Sequence, residues 1–519
     1  MKITLSVLCF LALIAAPLVA ADPEITISKE TTFVIEPKTD DGFVDLITAI
    51  NAKNSEGITP ENNAAAVIFP ALGARPDKNI RNPESSSKMA DRFYEELGVP
   101  MPPDGSEEFI SLPNFMILEG IKANSDTYWQ IQDQQGDAQE RYWNREEFPV
   151  IAKWLDANTK SLDLIIAGVQ REKYYCPINS DAKVGSTGQS LIGILLPHIQ
   201  SFREVTRALN CRALLLAKEG KHEEAWRDLI ASYRLGRHVR NGTFIIESLV
   251  GIAIEAITNQ TMLIFIEQSE PDALLIEKYL NDLVELTQPK SMAEFVNLSE
   301  RLIFIDIVGM IAYDKSDDVL WVEDGLPQIH GMIKKTGLKI DWDIVLKNAN
   351  AWYDQYAVAM KIESFPEQQN ELDRINDEFQ LLTQKFKDQS LLKTFAFALL
   401  DEKTRSNYVG DMLVALLLPA TAQASLAERR AEQRFDNLRI ALALAGYHAD
   451  ENSYPEQLQI LVPKYLEHLP EDQFSEKPMI YQKTETGYLL YSVGSDQVDN
   501  GGKSFDERED DLVVKVPSS

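Results

Sequence analysis

From Arg145 onward, apolar residues recur at intervals of three and four. The segments FPVIAKWLDANTKSLDLIIAGV, LIGILLPHIQSFREVTRALNCRALLLAKEG, HEEAWRDLIASYRLGRHV and TFIIESLVGIAIEAITNQTMLIFI each carry one apolar face, which predicts amphipathic or buried helices. Further helices are predicted at ALLIEKYLNDLVEL, AEFVNLSERLIFIDIVGMIAYD, DWDIVLKNANAWYDQYAVAMKI and the charged EQQNELDRINDEFQLLTQKFKDQ. Upstream, EITISKETTFVIEP alternates like an extended stretch and GFVDLITAIN reads as a short helix. TPENNAAAVIFPALG reads as another, with Thr59 as N-cap and Pro60 at its first position. Residues 74–114 are rich in Pro, Asp, Ser and Gly, a loop-heavy segment interrupted by the helix KMADRFYEEL. Val409 to Tyr454 is helical in period, an apolar half followed by a polar half with Pro419 between. After it come a Tyr-Pro turn, a short helix and a hairpin with the strand-forming runs YLLYSV and LVVKV.

The expected fold class is mainly α: stacked helical hairpins of solenoid-like character with a small C-terminal α+β domain. Ala213 to Leu235 resembles one tetratricopeptide unit, with Ala213, Gly220 and Ala225 where that repeat has small residues, but the 34-residue period does not recur. The expected organisation is a signal peptide over 1–21, a loop-rich region with short helices over 22–114, a helical body over 115–408, and a stem helix with a small domain over 409–519.

The signal peptide is expected because Met1-Lys2 precedes an apolar run from Ile3 to Val19, followed by Ala20-Ala21-Asp22, with cleavage after Ala20 or Ala21. A retained anchor is the competing reading. The run is shorter than the ~20 residues of a spanning helix and Pro17 interrupts it. The mature chain is thus expected in the periplasm or outside the cell, without a transmembrane span, since the apolar stretch Met412 to Ala422 suits a core helix. Cys9 leaves with the signal. Cys176 and Cys211 remain, and both a disulfide and two buried thiols stay open.

With 51 basic against 80 acidic residues the net charge is -29, which excludes nucleic acid as a partner and disfavours anionic lipid. Familiar catalytic signatures are absent: no G-x-S-x-G, H-E-x-x-H, Walker loop or G-x-G-x-x-G. Trp226 stands where a second zincin histidine would follow His222-Glu223, and His198, His238, His330, His448 and His468 are scattered. Asp40-Asp41, Glu223-Glu224 and Asp317-Asp318 read as caps, turns and helix faces. Tyr128, Trp129, Tyr142 and Trp143 read as core anchors before they read as a stacking surface for sugars or peptides.

The end of the chain carries the chemistry. Ser492, Asp496, Asp499, Asp510 and Asp511 offer one hydroxyl and four carboxylates, and Gly494, Gly501 and Gly502 permit turns that aim carbonyls inward. Ca2+ takes six to eight such oxygens, and the flanking strands could bring the loop's ends together. The plainer alternative is a solvated acidic tail around DERED.

ALLLPA, the Arg/Ala/Gln-rich helix after it and ALALAGYHADENSYP resemble the stem helix of bacterial type IV prepilin-like proteins. The remainder of the chain is similar to the C-terminal domain of the major pseudopilin of type II secretion, at Tyr454-Pro455, Asp472 with Phe474, Pro478 with Tyr481, then Tyr491, Ser492, Gly494, Asp496 and Asp510-Asp511. The resemblance implies a calcium-binding loop. Gln473 and Glu476 depart from the family's corner, and the family's processing site and membrane-inserting tip are missing from the chain's start, so assembly into a pseudopilus is not expected. The expected function is a non-enzymatic exported scaffold or binding protein with a protein partner. The alternative is a hydrolase of envelope or extracellular polymers with an acid-based site in the helical body, which a cavity converging two carboxylates, or Glu with His, would favour.

Overall fold

The computed structural model describes residues 25–39, 42–73, 83–103, 108–178, 191, 194, 196, 198–313, 333, 338–384, 400–418, 421–504 and 507–517. The expected signal segment, Asp40-Asp41, Asp317-Asp318, His330 and Pro419 lie outside the described residues.

The chain is mainly helical. In order come α1 (Leu46–Asn54), α2 (Ala65–Leu72), α3 (Pro83–Leu97), α4 (Leu112–Leu118), α5 (Asp126–Glu140), α6 (Pro149–Ala157), α7 (Thr159–Gly168), α8 (His198–Lys218), α9 (His222–Arg240), α10 (Ile245–Ser269) and α11 (Ala273–Val284). Then α12 (Met292–Phe295) runs through a π-helical turn, Val296–Glu300, into α13 (Arg301–Ala312). Last are α14 (Trp342–Ala359), α15 (Phe365–Gln384), α16 (Glu402–Leu417) and the long α17 (Thr421–Glu451). Three short strands, β1 (Ile480–Lys483), β2 (Tyr488–Ser492) and β3 (Leu512–Val516), form an antiparallel sheet in that order, with Tyr481 opposite Leu490 and Leu490 opposite Val514.

Two elements expected upstream differ. The alternating stretch after residue 24 is a compact turn, because Thr32 Oγ1 donates to the Ser28 and Val34 carbonyls and the Ser28 and Thr31 hydroxyls pair at 2.9 Å. The helix expected from Thr59 starts at Ala65 instead. Asn63 is clamped to Tyr175 through both amide atoms, at 2.9 Å each, and its Oδ1 also accepts the Ala65 N–H, so this side chain sets the helix start.

The body is built on α8, α9 and α10. The turn between α8 and α9 closes with Gly220 N–H to Ala217 O and Lys221 N–H to Leu216 O, satisfying the last carbonyls of α8. Where α9 crosses α10, Gly236 faces Gly251; a Cβ on Gly251 would sit 2.6 Å from both the Gly236 carbonyl oxygen and Arg240 Cγ. Backbones this close admit no side chain. Among the described residues α10 is the one helix long and apolar enough to cross a membrane, and most of its apolar window is buried between its neighbours. Trp143 is fully buried with Nε1 donating to Cys211 O, whereas Trp129 is exposed, so the aromatic cluster divides between core and surface. Cys176 and Cys211 are separate buried thiols, and burial raises both above the ordinary thiol range.

Three apolar cores share α17. Ala424 and Ala431 belong to the core around α13, α14 and α16; Leu438 and Leu442 join the α8–α10 core; Ile440, Ala441, Ala443 and Leu444 form the C-terminal core with Leu458, Leu461, Leu490 and Val514. One helix therefore carries the sheet and is itself embedded in the body.

Candidate functional site

The loop between β2 and β3 gathers the predicted ligands, but into two groups. Gly494 adopts φ +70, and a Cβ there would lie 2.1 Å from the Asp510 carbonyl oxygen, so the loop's ends cross at a place only glycine allows. At that crossing Asp510 Oδ2 accepts Ser495 N–H at 2.5 Å, Ser495 Oγ at 2.6 Å and Asp496 N–H at 3.2 Å, while Oδ1 pairs with Arg430 of α17 at 2.6 Å. Burial opposes ionisation of Asp510, yet the Ser495 hydrogen bonds and the Arg430 charge hold its carboxyl below the usual carboxylate range. Ser492 is buried with its hydroxyl accepting Gly494 N–H, and exposed Asp496 caps Val498 N–H. All three make hydrogen bonds within the loop.

Asp499 and Asp511 are close enough for their charges to interact. Asp499 Oδ1 accepts the Tyr491 hydroxyl and Gly501 N–H, each at 2.9 Å; Asp511 Oδ2 accepts Gly502 N–H at 2.8 Å. Burial, with the Asp499 charge adding, pushes the Asp511 carboxyl up, and burial beside Asp499 pushes the Tyr491 phenol up to about 12. Asp511 Oδ1 and Asn500 Oδ1 are buried acceptors without a hydrogen-bond partner. A buried acceptor left without a partner costs about 1–3 kcal/mol, and at Asp511 a hard cation would relieve that cost. Among the described residues no three Asp, Glu, His or Cys side chains stand where they could hold a metal by themselves. Of the predicted ligands, Asp499 and Asp511 are the two whose charges meet. Asn500 was not singled out in the sequence, since an amide between Asp499 and Gly501 carries no ligand signal of its own.

A second polar constellation lies on α17 within the body. Arg240, fully buried, reaches Glu255 at 3.1 Å and Glu428 at 3.7 Å, and Glu428 accepts Met292 N–H on both oxygens at 3.2 Å. Burial, aided by Glu432, pushes Glu428 up to about 7; burial also raises Glu432 against the pull of Arg429, Arg240 and Arg237. Both carboxyls line a cavity of 310 Å³ with Gln368, Ser425 and Arg429. The signal in the sequence was the run ERRAEQRFDNLR, whose charged side chains are half-buried or, at Asp436, buried. His198 and Glu247 also meet, at 3.4 Å, but Glu247 accepts the Thr243 and Phe244 N–H groups that open α10, which is a capping role.

Known protein families, curated proteins and solved structures give no match to the chain.

Proposed function

We propose that the chain is a non-enzymatic exported scaffold or binding protein. In this reading a solenoid-like helical body meets a protein partner on its concave face, and a pseudopilin-like C-terminal module ordered by Ca2+ is fixed to it. The observation that carries the reading is α17, whose apolar positions divide among three cores and whose polar positions are partnered by the body and the sheet alike. A stem divided in this way has its apolar positions taken up by three cores of its own chain, and it joins two surfaces into one platform. When Ca2+ is bound it supplies positive charge to the Asp499 and Asp511 carboxylates; the chain's own residues hold the loop ends through Gly494, Asp510 and Arg430.

A second reading, hydrolysis of an envelope or extracellular polymer, is favoured by Glu428 and Glu432, two carboxyls of raised pKa on one cavity. One experiment separates the two. The mature chain is incubated with isolated envelope polysaccharide and protein, and in parallel cross-linked to the intact envelope fraction. A stoichiometric cross-linked protein and no released fragments are expected. Release of reducing ends or new amines that disappears in Glu428→Gln would overturn the scaffold reading.

A further inference from the structure

The chain holds two Asn-Gly pairs, Asn241-Gly242 and Asn500-Gly501, and the fold treats them oppositely. An Asn followed by Gly is chemically labile, because the glycine's backbone nitrogen can reach the Asn Cγ and no Cβ obstructs the approach. Asn241 closes the end of α9 with both ends of its amide engaged. Its Nδ2 donates to Arg237 O at 3.1 Å and its Oδ1 accepts Lys290 N–H at 2.8 Å. Gly242 is buried, its N–H donates to Val239 O at 3.0 Å, and a Cβ on it would lie 2.6 Å from the Glu247 side chain. This pair has neither a free nucleophile nor room to turn.

Asn500 lies between β2 and β3, outside helix and strand, and one hydrogen bond holds its amide: Nδ2 donates to Glu509 Oε2 at 3.0 Å, while Oδ1 has no partner. Gly501 is exposed at φ +74, and a Cβ there would meet nothing within 4 Å, so its peptide has space to rotate. Its N–H donates to Asp499 Oδ1 at 2.9 Å, an oxygen that also accepts the Tyr491 hydroxyl. A carboxylate within hydrogen-bond reach of the N–H that must lose its proton is placed as a general base. Strand pairing and the contacts of Asp510 with Ser495 fix the loop's ends, which keeps this arrangement in place.

We propose that Asn500 is a self-modification site, converted to aspartate and isoaspartate through a cyclic imide closed by the Gly501 nitrogen. The Asp499 carboxylate takes the Gly501 N–H proton, the nitrogen's electron pair forms a bond to Asn500 Cγ, and the Cγ–Nδ2 bond breaks as ammonia leaves with that proton. Water then opens the ring at either carbonyl, so one amide and one water give one carboxylic acid and one ammonia. The product is a carboxylate facing Glu509 where an amide donor stood. Two anions at hydrogen-bond separation repel, so the change loosens the β2–β3 loop and adds a charge to the stretch that holds Asp499 and Asp511. The conversion does not depend on bound Ca2+; it uses Asp499 as a base.

The test follows the full mature protein in mildly alkaline buffer by peptide mass mapping, with heavy-oxygen water in the incubation so that acid formed there is distinguished from acid formed during digestion. Acid is expected to accumulate at position 500 and not at 241, whereas in urea both pairs should convert. Asp499→Asn is expected to slow conversion at 500 severalfold in the folded protein and to leave it unchanged in urea, a split that a purely local sequence effect would not give. Asn500→Asp, which puts the product's charge in place, should be cut faster than the unaltered protein by added protease between residues 495 and 509. The comparison of the two pairs needs no variant, so it holds even if Asp499→Asn disturbs the loop. Conversion at 500 as slow as at 241 in the folded protein, or an undiminished rate in folded Asp499→Asn, would overturn the proposal, and equal cleavage of Asn500→Asp would overturn its effect on the loop.

Discussion

Replacing Ile440 by alanine tests whether the C-terminal module and the body are one folding unit. Ile440 is fully buried and packs in the core beneath the sheet, while Leu438 and Leu442, two residues away on either side, pack into the body. Truncating a fully buried Ile leaves a cavity and costs about 2–5 kcal/mol; with no exposed surface to collapse into, about 3.5 kcal/mol is the working figure. If all 519 residues melt together, an unfolding entropy of about 2.1 cal/mol/K per residue makes the shift only about 3 °C. If the module of about 80 residues melted alone, the same loss would move its transition by roughly 20 °C. Differential scanning calorimetry separates these outcomes. One transition that moves a few degrees in Ile440→Ala, and by a similar amount in Leu438→Ala, is expected. A second, smaller transition that Ile440→Ala alone displaces would refute the shared-helix reasoning.

Three further predictions concern the loop, the buried acids and the helix crossing. Ca2+ should raise the melting temperature relative to chelator, Asp511→Asn should abolish that gain and Asp496→Ala should leave it intact; coincident curves for the unaltered protein would remove the ion. Because the Asp511 carboxyl is pushed above its ordinary range, protons compete with Ca2+, so the gain should fade as pH falls toward about 4. Glu428 sits at about 7 when folded against about 4.3 unfolded, so the folded state binds more protons between those values. Stability should then drop by about 3–4 kcal/mol as pH rises across that window and level off above it; urea midpoints from pH 5 to 8 that stay as steep in Glu428→Gln would contradict this. Gly251→Ala should lower stability by about 3 kcal/mol, since its Cβ meets the Gly236 carbonyl as well as the Arg240 side chain, and an unchanged denaturation midpoint would mean the helices can separate without cost.

The helices of the body were legible from apolar spacing, because each must bury one face and that need is written locally at Ile151, Leu155, Leu162 and Ile165 as at Leu209 and Leu229. The strands around Leu490 and Val514 were legible for the same reason, and so was the gathering of glycines and aspartates between them. Less was readable where side chains answer distant partners. Thr59 and Pro60 look like a helix start, but Asn63, held by Tyr175 over a hundred residues away, sets it at Ala65. That Asp510 pairs with Arg430 of α17, and that the Asn500 side-chain oxygen is buried without a partner, depends on contacts the local sequence does not show. The Glu428 carboxyl and the Lys290 amine are ordinary charges in the chain and become perturbed ones through burial that no local pattern encodes. Periodicity reports which face of a segment turns inward; which charge it meets there depends on contacts between segments far apart in the chain, and those exist only once the chain has folded.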